Sequence, residues 1–269
     1  MTLARAGDLV AERDPRRPTG RLLRQGDMDA SYVDLADPTH LEFDYLRWIR
    51  IVLRAAHARR VVHVGGGACA LARALAAEDP RGRQEVCEVD PDVLALARSH
   101  LGLRRTPGLR VREAEGRAFL AGLGFGRWDA VVIDAFVGAV VPPALITVEA
   151  LAGVARVAPL VLINVLDDRA ARLVRTVGAG LALAYPRVWA LGARAGNTIL
   201  VGAVATLDLD RIAAAAAADP SPARVTPPDA MALLIGGTAP LRDAEVGAVE
   251  IGLGEIGPAE VGPAEIRGA

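Results

Sequence analysis

The sequence predicts an α/β fold: an open, mostly parallel sheet wound on both faces by helices, with a small β-hairpin in front of it. Three observations carry that prediction. From residue 60 onward, short apolar runs alternate with Ala/Leu/Arg-rich segments, the strand–helix alternation of a parallel sheet. Val131–Ile133 and Leu160–Ile163 are apolar without interruption, as strands covered on both faces must be. The stretch from Val61 to Leu71 passes from a β-branched run through Gly65, Gly66 and Gly67 into a helical segment. Such a strand–turn–helix can hold a polar or anionic ligand on backbone N–H groups.

In chain order, residues 1–19 are polar, rich in Arg and Pro, and read as a loose N-terminal segment. Residues 20–58 read as a hairpin and a leading helix. Gly20–Arg24 and Ala30–Asp34 flank the turn residues Gln25-Gly26-Asp27. Asp37-Pro38 then supplies a cap and a first helical position, and Leu41, Tyr45, Trp48, Ile49, Val52 and Ala56 form one apolar stripe up to Ala58. Residues 59–236 form the main domain. Strands are expected at Val61–Val64, Arg83–Val89, Arg110–Ala114, Ala130–Asp134 and Val161–Val165, with a further pair at Val188–Ala193 and Thr198–Ala203. Helices are expected at Ala70–Ala77, Pro91–Leu101, Gly116–Leu123, Pro143–Ala158, Arg169–Ala184 and Leu209–Ala218. In residues 237–269 glutamates recur at 245, 250, 255, 260 and 265 among Gly and Pro. That period fits neither helix nor strand, so the stretch reads as a low-complexity disordered tail.

Composition narrows the function classes. The chain has 269 residues, 52% hydrophobic, with a mean hydropathy of +0.30 and a net charge of −1. The basic residues, all arginine, are dispersed, which argues against a nucleic-acid surface. No apolar run reaches membrane-spanning length, and Met1–Asp8 has no apolar signal region, so a cytoplasmic protein is expected. Cys69 and Cys87 are too few for a disulfide framework or a zinc cluster, and no metal is expected.

Ligands of an open α/β sheet bind outside the carboxyl ends of its strands, and acidic residues stand there. Glu88 and Asp90 lie about 20 residues after the glycine loop, where a carboxylate can take both hydroxyls of a ribose. Asp90 precedes Pro91 and can equally cap the next helix. Glu115, next to Gly116, can accept from an adenine amino group or serve as a helix N-terminal charge. Asp134 ends its strand and can bind or deprotonate an amine nucleophile.

These blocks together resemble the spermidine synthase family of polyamine aminopropyltransferases, built on the class I S-adenosylmethionine-dependent methyltransferase fold, a Rossmann-like fold. Glu42-Phe43-Asp44-Tyr45, Val64-Gly65-Gly66-Gly67, Cys87-Glu88-Val89-Asp90-Pro91, Gly116–Leu120, Trp128–Asp134 and Pro143…Glu149 match its motifs in order, across residues 20–205. The resemblance implies S-adenosylmethionine or its decarboxylated form as co-substrate and an aminopropyl or methyl group passed to a small acceptor such as an amine. It also implies a homodimer. Glu88 would hold the ribose, Glu115 would approach the adenine, Asp134 would act as the base, and Tyr45, with Phe136 in the following loop, would line the acceptor site. Departures from the pattern are equally plain. The family's glycine loop continues with an Asp for the amino end of the decarboxylated co-substrate, and this chain has Ala68. Its Gly-Asp-Gly block is Ala114-Glu115-Gly116, and the second carboxylate of its catalytic loop is missing from Asp134–Gly138. Leu46 replaces a Gln or His, and Asp29 falls near the family's hairpin Gln. A non-catalytic nucleoside-binding or scaffold protein is the alternative reading.

Overall fold

The structure is a computed structural model describing residues 1–167, 170–193 and 196–246. The chain opens with an antiparallel sheet of four successive strands: β1 (Thr2–Ala6), β2 (Leu9–Arg13), β3 (Gly20–Gln25) and β4 (Met28–Asp34). The predicted hairpin is β3–β4. The segment read as loose supplies β1 and β2 instead. Leu9, Val10 and Ala11 are buried there, a run too short to announce a strand until β3 pairs with it.

The first helix, α1 (Asp44–Ala55), begins later than Asp37. Asp37 accepts from Thr39 N at 3.0 Å and Thr39 Oγ1 at 2.6 Å, closing a local turn rather than capping a helix. The stripe of α1 buries Trp48, Ile49 and Val52 as expected.

Then come β5 (Arg60–Val64), α2 (Ala70–Glu78), β6 (Arg83–Glu88), α3 (Pro91–Ser99), β7 (Leu109–Glu113), α4 (Gly116–Ala121), β8 (Ala130–Ile133), α5 (Val148–Val157) and β9 (Leu160–Asp167). They are followed by α6 (Arg172–Ala184), β10 (Arg187–Gly192), β11 (Gly196–Ala203), α7 (Leu209–Ala217), β12 (Arg224–Thr226) and α8 (Pro228–Ile235). Pro143–Leu145, expected as the start of α5, is a separate 3₁₀ turn, because Thr147 caps α5 through Ala150 N.

The second sheet runs β12-β10-β11-β9-β8-β5-β6-β7. From β7 to β9 its neighbours are parallel, and β11, β10 and β12 add antiparallel pairs. Strand alternation sends Val61, Ala130, Val132, Leu160 and Leu162 to the face covered by α1, α2 and α7. Val62, Val64, Val131, Ile133 and Ile163 point to the face covered by α4, α5, α6 and α8. Chain order reverses between β5 and β8, and at such a switch point the loops diverge and leave a crevice.

Residues 237–246, expected in the tail, pack on the domain: Leu241 is buried and Asp243–Glu245 form a 3₁₀ turn. The rest of that stretch, 247–269, lies outside the described residues.

Candidate active site

The crevice lies where β5 and β8 end, and two sequence features meet there. Gly65 leaves β5 with φ +85°, and a Cβ on it would sit 2.2 Å from Asp134 O. Only glycine lets the loop run this close to the end of β8. The loop amides are engaged within the protein. Gly65 N donates to Cys87 O at 3.0 Å, while Gly66 N and Gly67 N both donate to Glu88 Oε2 at 2.9 Å. Ala68 N donates to Ser31 Oγ of β4 at 3.0 Å, and Ala68 itself is fully buried. The N-terminal sheet thus supplies one anchor of the loop and Glu88 the other.

Asp134 continues the alternation of Ala130 and Val132 and therefore faces α1. Tyr45, in the first turn of α1, hydrogen-bonds its carboxylate. On the neighbouring strand β9, Asn164 points to the same face, and its Nδ2 donates to Asp134 Oδ1 at 2.9 Å. Burial raises the Asp134 pKa to about 6, although the Asn164 and Tyr45 bonds act to lower it. Burial, and then the Asp134 charge, push the Tyr45 phenol well above its ordinary value. Asn164 Oδ1 is buried without a hydrogen-bond partner among the described residues. A protonated Asp134 would let that amide turn and accept, so the pair has one bonded arrangement for each protonation state.

Tyr45, Gly65–Gly67, Asp134 and Phe136 line one cleft with Ser31, His63 and Phe43. Its volume is about 70 Å³. Phe43 and Tyr45 stack with ring centroids 5.9 Å apart. His63, buried on β5, bonds Gln84 Oε1 at 2.9 Å, and burial lowers its pKa to about 4. It is therefore neutral at pH 7. Cys69 also lines the cleft, but burial pushes its thiol up to about 12, too high for a thiolate nucleophile.

The remaining predicted residues lie along the neighbouring strand ends. Glu88 Oε1 accepts from Asp90 N at 3.1 Å. Asp90 caps α3 through Asp92 N at 2.8 Å and Val93 N at 3.3 Å. Glu115 caps α4 through Arg117 N at 2.8 Å and Ala118 N at 2.7 Å, and Ala114 N donates to Glu88 O at 3.0 Å. Gly116 is required by contact: a Cβ there would lie 2.5 Å from Val64 Cγ1. Sequence reasoning missed Ser31, His63 and Asn164. The last two were visible as polar interruptions of Val61–Val64 and Leu160–Val165. Ser31 carried no such signal. Among the described residues no group of three or more His, Cys, Asp or Glu could hold a metal, and no helix is long and apolar enough to cross a membrane.

A parallel sheet with a glycine loop after β5, acids after β6 and β7, and a carboxylate after β8 defines the class I methyltransferase fold. Human methyltransferase-like protein 13 in complex with SAH shares it, at TM-score 0.52 and 19% identity over 77% of this chain and 95% of that one. Within that class the chain is spermidine-synthase-like. A probable spermidine synthase from Corynebacterium glutamicum matches at TM-score 0.82 and 25% identity, covering 90% of this chain and 96% of that chain. A polyamine aminopropyltransferase of Vibrio vulnificus is 29% identical over 92 residues, 34% of this chain and 31% of the length of that relative. No family model matches the chain.

Proposed function

We propose that the protein is a transferase that binds S-adenosylmethionine or its decarboxylated form and passes an aminopropyl or methyl group to a small nucleophile, an amine in the first instance. The observation that carries this reading is Asp134, its pKa raised by burial, bonded to Tyr45 and Asn164 and set against a glycine loop. The likeness to spermidine synthases and to a polyamine aminopropyltransferase supports the same chemistry.

Glu88 and Glu115 are adjacent, through the Ala114–Glu88 bond, and would receive the ribose and the base. The cleft beside Asp134 would take the transferred group and the attacking nitrogen, with the nucleoside over Gly66 and Gly116. The co-substrate supplies an activated sulfonium carbon. The protein's part is then mainly positioning: Tyr45 and Asn164 orient Asp134, and Asp134 takes the proton lost by the attacking amine. The new N–C bond forms as the C–S bond breaks, and the sulfur keeps the electron pair.

Calorimetric titration with S-adenosylmethionine, its decarboxylated form and methylthioadenosine tests this. Binding of at least one, abolished or strongly weakened in Glu88→Ala, is the expected outcome. Preference for the carboxylated form would overturn aminopropyl transfer, and binding of none would leave only a non-catalytic fold.

A further inference from the structure

Residues 237–246 reach back to α4, α5 and α6. Leu241 O accepts from Val148 N at 2.9 Å, satisfying the first amide of α5. Thr238 Oγ1 accepts from Arg175 Nε at 3.1 Å, and Asp243 N donates to Glu149 Oε2 at 3.0 Å. The Asp243 carboxylate takes both terminal nitrogens of Arg117, at 2.6 and 2.5 Å, and also bonds Thr147. Arg117 Nη1 in turn reaches Ala144 O at 3.2 Å, in the Pro143–Leu145 turn.

Arg117 follows Gly116 directly, and its own amide closes the cap on Glu115. One bidentate pair therefore joins the start of α4, the turn before α5 and the C-terminal segment. The side chains remain 35% and 40% exposed, so the pair adds little stability. What a bidentate guanidinium–carboxylate pair does fix is direction. It does so where α4 touches the turn: a Cβ on Gly116 would lie 3.2 Å from Leu145 Cδ2.

We propose that Asp243 is a positioning residue for the nucleoside half of the site, acting through Arg117 to hold Glu115 and Gly116 against the Pro143–Leu145 turn. This rests on the reading of Glu115 and Gly116 as the base side of that site. Asp243 itself touches no substrate.

The test uses the full chain, with methylthioadenosine titrated calorimetrically into wild type, Asp243→Asn, Asp243→Glu and the charge swap Arg117→Asp/Asp243→Arg, alongside thermal melting. Asp243→Asn is expected to weaken binding on the order of tenfold with an unchanged melting temperature. Asp243→Glu and the swap are expected to recover most of the loss. Binding by Asp243→Asn equal to wild type, a loss that tracks the melting temperature, or no recovery in either rescue variant would overturn the inference alone. Absence of binding by the wild type would overturn the nucleoside reading and this inference with it.

Discussion

In the proposed role of base Asp134 must lose its proton, and burial sets its pKa near 6 rather than 3.8. The transfer rate is therefore expected to rise with pH through about 6, and Asp134→Asn should lower kcat by about 10²–10⁴-fold at pH 8. A steady-state pH profile of both proteins checks this. Stability carries the opposite sign. Because the folded carboxyl holds its proton more tightly than the unfolded one, this group makes the protein less stable as pH rises from 3.8 to about 6. Above that window Asp134→Asn should be more stable than wild type by about 1–3 kcal/mol, read from chemical denaturation. A strand of four apolar residues ending in Asp made this position legible in the sequence. Asn164 was readable only as a polar residue inside an apolar run. Ser31 was not readable, because its partner, the amide of Ala68, is brought to it by tertiary packing.

Among the elements, α1 and the loop after β5 carry the candidate site. Trp48 is 1% exposed, and its Nε1 donates to Ser221 O at 2.9 Å, between α7 and β12. Trp48→Ala should cost about 3–5 kcal/mol and, by loosening α1, displace Tyr45 from Asp134. A lowered midpoint in urea together with reduced turnover of the remaining folded protein is the expected result. Gly65→Ala faces both the positive φ and the Asp134 carbonyl, so a loss of about 3 kcal/mol is expected in the same assay. The alternating main domain was legible because short apolar runs alternate along it with Ala/Leu/Arg-rich segments. The first two strands and the start of α1 were not. Leu9–Ala11 is too short to read alone, and Asp37-Pro38 is as good a turn as a cap.

At the scale of the molecule, strand order was the least accessible property. Apolar periodicity identifies strands but not their neighbours, so the meeting of β5 and β8 at the switch point, and of β9 beside them, appears only in the folded sheet. Acid sensitivity also belongs here. His63 is buried with its pKa lowered to about 4 from 6.5, so the unfolded chain takes up a proton more readily. Stability is lost as pH falls through that window. Asp134, gaining its proton over part of the same range, works against the loss. His63→Gln should flatten the acid limb of a melting-temperature profile between pH 6.5 and 4, and an unchanged limb would assign the sensitivity elsewhere.

The bond between Ser31 and Ala68 has a kinetic consequence. Consecutive strands build the first sheet from contacts close in the chain, whereas the parallel sheet needs long crossovers, so the first is expected to form faster. The glycine loop is complete only once both exist and have docked. In a refolding experiment, the proposed binding of methylthioadenosine should therefore lag behind the recovery of secondary structure, and Ser31→Ala should lengthen that lag.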